Sequence, residues 1–168
     1  MTFRKMLLVG AALCLAATAF AQGNRGTADV TIKGKKVSID YGRPSLKGRD
    51  IFSMVQPGMV WRLGMNQATQ ITTEADLRVA GTEVKAGKYT LWAKKTGPDS
   101  WVLAFHPKTG VWGEPALKEG FIAELPLKMQ KTSDSAEQLT ISLADAKGKA
   151  NIKIQWGSAA LVGSLDVK

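Results

Sequence analysis

Apolar residues in this chain recur at every second position far more often than at every third or fourth. Ala28, Val30 and Ile32 alternate with Asp29, Thr31 and Lys33; past Gly34, Val37, Ile39 and Tyr41 alternate with Ser38 and Asp40. Successive side chains of a strand point to opposite faces, so this pattern predicts a hairpin with one buried face. Strand patterns return at Met59–Leu63, at Ala68–Thr73, at Leu77 and Val79, and over Lys88–Lys94, where Tyr89, Leu91 and Ala93 share a face. The turn residues Thr96–Ser100 lead into Trp101–His106, whose Trp101, Leu103 and Phe105 lie opposite Val102, Ala104 and His106. Both sides are apolar enough to predict a central strand covered on both faces. Alternation continues over Phe121–Met129 through Pro126, whose missing donor suits an edge or a bulge. After a polar turn it resumes at Leu139, Ile141 and Leu143; beyond Lys147-Gly148-Lys149 it takes in Ile152, Ile154 and Trp156, and Leu165 and Val167 suggest a closing strand. Helical spacing is confined to short turns, within Leu46–Met54 and at Pro115–Glu119. The expected fold is all-β, an antiparallel, jelly-roll-like β-sandwich of short strands with one long packed loop.

That loop is Gly42–Gly58, where Pro44, Gly48 and Pro57 break the alternation. Long excursions in compact domains are usually functional or disordered, and Leu46, Ile51, Phe52, Met54 and Val55 predict that this one packs. With its flanking residues it forms the least generic stretch, Tyr41–Thr69, which carries Arg43, Arg49, Arg62, Trp61 and Asn66.

The ends and the charge set the compartment. Arg4 and Lys5 precede an apolar run, Met6–Ala17, that reaches Ala19-Phe20-Ala21 and then Gln22. This is the form of a secretory signal peptide, residues 1–21, cut after Ala21. The run is shorter than the roughly 20 apolar residues a spanning helix needs, so no transmembrane segment is expected in the mature chain. Leu13 before Cys14 argues against lipid attachment. Residues 22–168 are then one domain, periplasmic or secreted, without cysteine and so without thiolate chemistry. Removing Arg4 and Lys5 lowers the net charge by two from +9. The remaining lysines scatter along strand faces, as solubility and edge charge do; no nucleic-acid partner is expected.

The run Tyr41-x-Arg43-Pro44-x-x-x-Gly48-Arg49-x-Ile51-Phe52, followed by Gly58-x-Val60-Trp61-Arg62-x-Gly64-x-Asn66-x-Ala68-Thr69, then Ala86-Gly87-x-Tyr89-x-Leu91 and Trp112-Gly113, carries a resemblance. In this order the motifs resemble those of DUF2911, an exported bacterial family of Bacteroidetes type, over nearly all of the mature chain. The resemblance implies an all-β fold and brings no activity, substrate or cofactor. Two residues depart from the family pattern: Gln67 stands where a glutamate is usual, and Met65 where a small residue is usual.

The chemistry the residues suggest is recognition. Arg43, Arg49 and Arg62 carry planar forks that suit carboxylates, sulfates or phosphates; the competing reading pairs them with Asp40, Asp50 or Glu74 as a clamp on the loop. Flat aromatic faces stack on sugars. Trp92, on the polar side of its strand, and Trp112, in a loop, are the expected exposed rings, while Trp61, Trp101 and Trp156 suit the core. His106 is the only histidine, which excludes a multi-histidine metal site and leaves a lone general base as its catalytic use. No Gly-x-Ser-x-Gly elbow accompanies it, and Asp76, Glu83, Glu114, Glu119 and Glu124 form no recognisable pair. Phosphate-loop and zinc motifs are absent from the sequence, so neither metal nor cofactor is expected. The leading expectation is an exported binding module for a small anionic or carbohydrate ligand, with Arg43, Arg49, Arg62 and Asn66 at its site and Trp61 or Trp112 beside it. The alternatives are a hydrolase or isomerase using His106 or a carboxylate, and an envelope structural or interaction module.

Overall fold

A computed structural model describes residues 24–168; the expected signal peptide, residues 1–21, lies outside them. Ten strands succeed one another in chain order: β1 (Arg25–Ile32), β2 (Lys35–Gly42), β3 (Val60–Trp61), β4 (Gln70–Thr73), β5 (Leu77–Val79), β6 (Thr82–Val84), β7 (Gly87–Lys95), β8 (Ser100–His106), β9 (Ala123–Ala146) and β10 (Lys149–Val167). A single helical turn, α1 (Ile51–Met54), sits in the excursion between β2 and β3, capped by Asp50, whose side chain accepts from Ser53 N. The fold is all-β and antiparallel, as the alternation predicts. Its strands make one continuous sheet in the order β1-β2-β4-β7-β8-β9-β10-β5-β6, with β3 on β7. Among the described residues, no helix is long and apolar enough to cross a membrane.

Three hairpins turn on two residues with positive φ: Lys33-Gly34 (51° and 76°), Ala80-Gly81 (47° and 93°) and Lys147-Gly148 (55° and 85°). Such turns twist in the sense of the strands they join. The Ala80-Gly81 turn creates β6, a strand that the alternation does not reveal.

The stretch after Met129 is also different from expectation. It does not turn; β9 runs on to Ala146, paired with an equally continuous β10. The register explains how. Gln155 faces Thr140, Gly157 faces Ala136 and Ala159 faces Lys131, so β9 spends more residues than β10 over the same span and bulges. Gln155, buried, donates from Nε2 to Thr132 Oγ1 (3.2 Å) and Asp134 Oδ1 (3.3 Å), holding the bulge. Its residues are polar on both sides, which is why the segment reads as a turn in sequence.

The sheet curls until the end of β2 meets β9: Leu139 N donates to Pro44 O (3.0 Å) and Leu46 N to Glu137 O (2.6 Å). Inside lies the main core, with Val37, Ile39, Ile71, Leu91, Leu103, Phe105, Leu139 and Ile154 sealed from solvent. A smaller cluster, Ala68, Trp92 and Ala104, lies apart from it and is covered by Val111, Leu117 and Phe121 from the segment between β8 and β9. This second layer makes β8 the doubly covered strand expected of it. It also corrects the expectation for Trp92, which is fully buried: Nε1 donates to Thr90 Oγ1 (3.0 Å), and the Thr90 hydroxyl donates to Lys108 O (2.9 Å). The covering segment is irregular, with no helical turn at Pro115–Glu119.

Candidate functional site

The excursion and the segment after it are fixed by close backbone contacts. A Cβ on Gly42 would lie 2.8 Å from Met65 N and closer still to Met65 O, and one on Gly64 would lie 2.9 Å from Gly42 O. Only bare backbone can cross there. Leu63 and Asn66 adopt left-handed φ values of 51° and 61°, and Thr69 Oγ1 donates to Leu63 O (2.6 Å). Asn66 serves this crossing through its carbonyl, which accepts from Gly113 N (2.8 Å).

The three arginines go to three places. Arg43 is half-buried and donates from Nε to Leu139 O (3.4 Å) at the β2–β9 junction. Arg62 lays its methylenes over Gly113, where a Cβ would fall 2.6 Å from its Cδ, and its Nε lies 3.9 Å from Glu114 Oε1. Next to it, Trp112 bridges to Gln67 and is 63% exposed. Arg49 is exposed and braces the loop, with Nε donating to Leu46 O (3.0 Å) and Nη2 to Ser45 O (3.0 Å). Arg43 and Arg49 thus clamp through carbonyls, and none of the three arginines pairs with the acids expected for a clamp. Asp40 pairs with Arg25, Asp50 caps α1, and Glu74 accepts from Lys36 N. Arg62, Asn66 and Trp112 gather around the 62–66 crossing, whereas Arg43 and Arg49 stand elsewhere.

Trp61 anchors α1. It stacks on Trp156 (centroids 5.9 Å, planes 11° apart) and meets Phe52 and Trp101 edge-on at 5.9 and 6.4 Å. Such pairs add roughly 0.5–1.5 kcal/mol each beyond burial. Trp101 and Trp156 are core, as expected; Trp61 is half-buried.

Against this aromatic box lies a groove. One cavity of ≈ 590 Å³ takes in Leu46, Arg49, Lys131, Ser135, Trp156 and Ser158; an adjoining one of ≈ 480 Å³ takes in Phe52, Ser53 and Lys95. Asp50, Asp99, Met129 and Ala159 line both, so the two are halves of one groove. Its walls are the excursion, the β7–β8 turn and the bulged part of β9–β10, where Leu46 packs on Gly157. Each half has the size of a small-molecule site, about 300–1,000 Å³. Three cations (Arg49, Lys95, Lys131) face two acids (Asp50, Asp99), with hydroxyls and apolar surface between them. Lys95 is 8% exposed; its Nζ donates to Phe52 O (3.1 Å) and lies 5.4 Å from the centre of the Trp101 ring.

Of the sequence candidates, Arg49 lines this groove directly and Trp61 supports it from behind. His106 lies outside it, half-buried, with Nδ1 accepting from Lys108 N (2.9 Å) and its ring edge-on to Phe121. Among the described residues, no serine or carboxylate hydrogen-bonds to His106, and no three His, Cys, Asp or Glu side chains gather as a metal site. Lys95, Asp99, Lys131, Ser135 and Ser158 join the site without having been singled out by the sequence. Lys95 had a signal: it continues the inward series Tyr89, Leu91, Ala93. The others owe their place to the bulge and the turn.

A family model described as a protein of unknown function (DUF2911) matches residues 24–162. No curated protein and no solved structure matches the chain.

Proposed function

The chain belongs to the DUF2911 family, and from that premise we propose that it is an exported, non-catalytic binding module that takes a small hydroxylated, glycan-like ligand in the groove beside α1. The observation that carries this reading is the lining: hydrogen-bond donors, acceptors and apolar side chains together line a cavity of ≈ 590 Å³. Sugars present hydroxyls that both donate and accept, together with apolar C–H faces, so a mixed lining suits them better than it suits a bare inorganic anion. The bulge supports the same reading, because bulges re-aim side chains next to sites and here bring Lys131 and Ser135 to the wall.

Thermal shift and calorimetry of the purified protein against a panel of mono- and oligosaccharides test it. A ligand that binds only the native state stabilises it by about 2.7 kcal/mol at a hundred times its Kd. Ala159→Leu adds bulk where the two halves meet, and is expected to abolish the shift while leaving the far-UV spectrum unchanged. A panel with no binder, or binding insensitive to Ala159→Leu but lost in Trp112→Ala, would remove the groove from consideration.

A further inference from the structure

We propose that the ligand of this groove carries a carboxylate and that Lys95 binds it, so that the ligand class is a hexuronate rather than a neutral sugar. The inference rests on the binding reading above and specifies its chemistry.

Strand β7 sends Tyr89, Leu91 and Ala93 toward the core, and Lys95 is the next residue on that face. An ammonium taken out of water costs several kcal/mol unless charge and hydrogen bonds compensate it. Lys95 is more than nine-tenths buried, yet its three N–H donors meet one protein acceptor, Phe52 O. The Trp101 ring offsets part of the charge. Among the described residues no ion pair includes Lys95, although Asp50 and Asp99 line the same half of the groove. A methionine would fill the same volume without the desolvation cost. A lysine there is accounted for by an anionic group that takes up its charge from the groove side.

The surroundings favour an anion as well. Cations outnumber acids in the groove, and Asp50 is partly engaged by Ser53 N at 3.3 Å as the helix cap. A carboxylate held at Lys95 directs the rest of the molecule toward Arg49, Ser135 and Ser158 in the outer half, where hydroxyls find both donors and acceptors. A sugar acid has this layout, one charged end and a hydroxylated ring, and a simple carboxylate lacks the second part.

Calorimetry with D-glucuronate and D-galacturonate, their C6 amides, the parent hexoses and acetate tests the proposal on the unaltered protein, and Lys95→Met tests the residue. At least one hexuronate is expected to bind ten-fold or more tighter than its amide and than acetate. Lys95→Met is expected to bring acid and amide to within about two-fold of each other. Equal binding of acid and amide by the unaltered protein would overturn the proposal and leave the binding reading intact. Acetate binding as tightly as the hexuronates would overturn the sugar-acid class, and an undiminished acid preference in Lys95→Met would overturn the role of Lys95. No binding by either hexuronate would overturn this inference, while the panel of mono- and oligosaccharides decides the binding reading separately. Should Lys95→Met fail to fold, the acid-to-amide comparison still decides the ligand class.

Discussion

Gly42 and Gly34 show two different reasons for a glycine. Gly34 sits in a turn at φ 76° with nothing within 4 Å of the position a Cβ would take, so an alanine there costs the left-handed conformation alone, about 1 kcal/mol. Gly42 faces the opposite problem: the space is filled by the Met65 backbone, whose nitrogen would stand 2.8 Å from a Cβ. Backbone moves less easily than a side chain, so Gly42→Ala is expected to cost at least the roughly 1–3 kcal/mol typical of overpacking. Urea melts of both variants against the wild type check this; a Gly42→Ala midpoint equal to that of the wild type would mean that the crossing yields without cost. The same crossing holds Gln67, where the resemblance in sequence leads one to expect a glutamate. Gln67 bridges to Trp112, and its carbonyl accepts from Arg25 Nη1 (3.3 Å), while its exposed side chain lies outside the groove. The identity of residue 67 therefore bears on the surface and not on the groove lining.

Between β8 and β9, a segment without periodicity covers the outer face of the sheet, and Thr90 is the peg that holds its start. Its hydroxyl accepts from the Trp92 indole and donates to Lys108 O, with Thr90 and Trp92 both sealed from solvent. Thr90→Val keeps the shape and strands both partners, at an expected cost of about 1–3 kcal/mol. Hydrogen exchange is expected to quicken over residues 107–122 and to stay unchanged in the β1–β2 hairpin; a uniform rise would mean that the segment is not separately pinned. This element also marks where the sequence stops being legible. Strands with one apolar face, such as β1 and β2, can be read residue by residue because burial tracks the pleat. Trp92 cannot, since its neighbours Lys88, Thr90 and Lys94 mark that face as outward and the cover arrives from an aperiodic segment. Arg49 is readable as a residue of the groove wall because it lies in the loop that builds that wall. Lys131 and Ser135 are not, because their placement depends on a register shift between two strands, which no local pattern encodes.

For the molecule as a whole, the sheet ends at β1 and at β6, and at the β6 end exposed ion pairs tie stability to pH. Strand β6 ends the sheet and is three residues long, flanked by charge, which limits edge-to-edge pairing. It is fastened by a chain of ion pairs: Lys85 to Asp76 (3.0 Å) and to Glu83 (2.5 Å), and Lys168, just past β10, to Glu83 (2.6 Å). The hydrogen bond from Lys168, followed by that from Lys85, holds Glu83 down to about 2 from an ordinary 4.5. The Ala86 amide, followed by Lys85, lowers Asp76. Carboxylates with depressed folded-state values bind protons more readily when unfolded, so their contribution is complete above the unfolded value and is lost as pH falls from about 4.5 toward 2. Lys85 behaves in the opposite sense: raised above 10.5, first by Glu83 and then by Asp76, it contributes fully below 10.5, and that contribution disappears as pH climbs past its raised value. The pairs are exposed, so salt should weaken them. Urea midpoints between about pH 2 and 7 are therefore expected to fall more steeply for the wild type than for Glu83→Gln, with the difference compressed in roughly 1 M NaCl. Parallel acid limbs at low salt would show that the edge is held by the β5–β6 backbone pairing alone, with the ion pairs contributing nothing measurable.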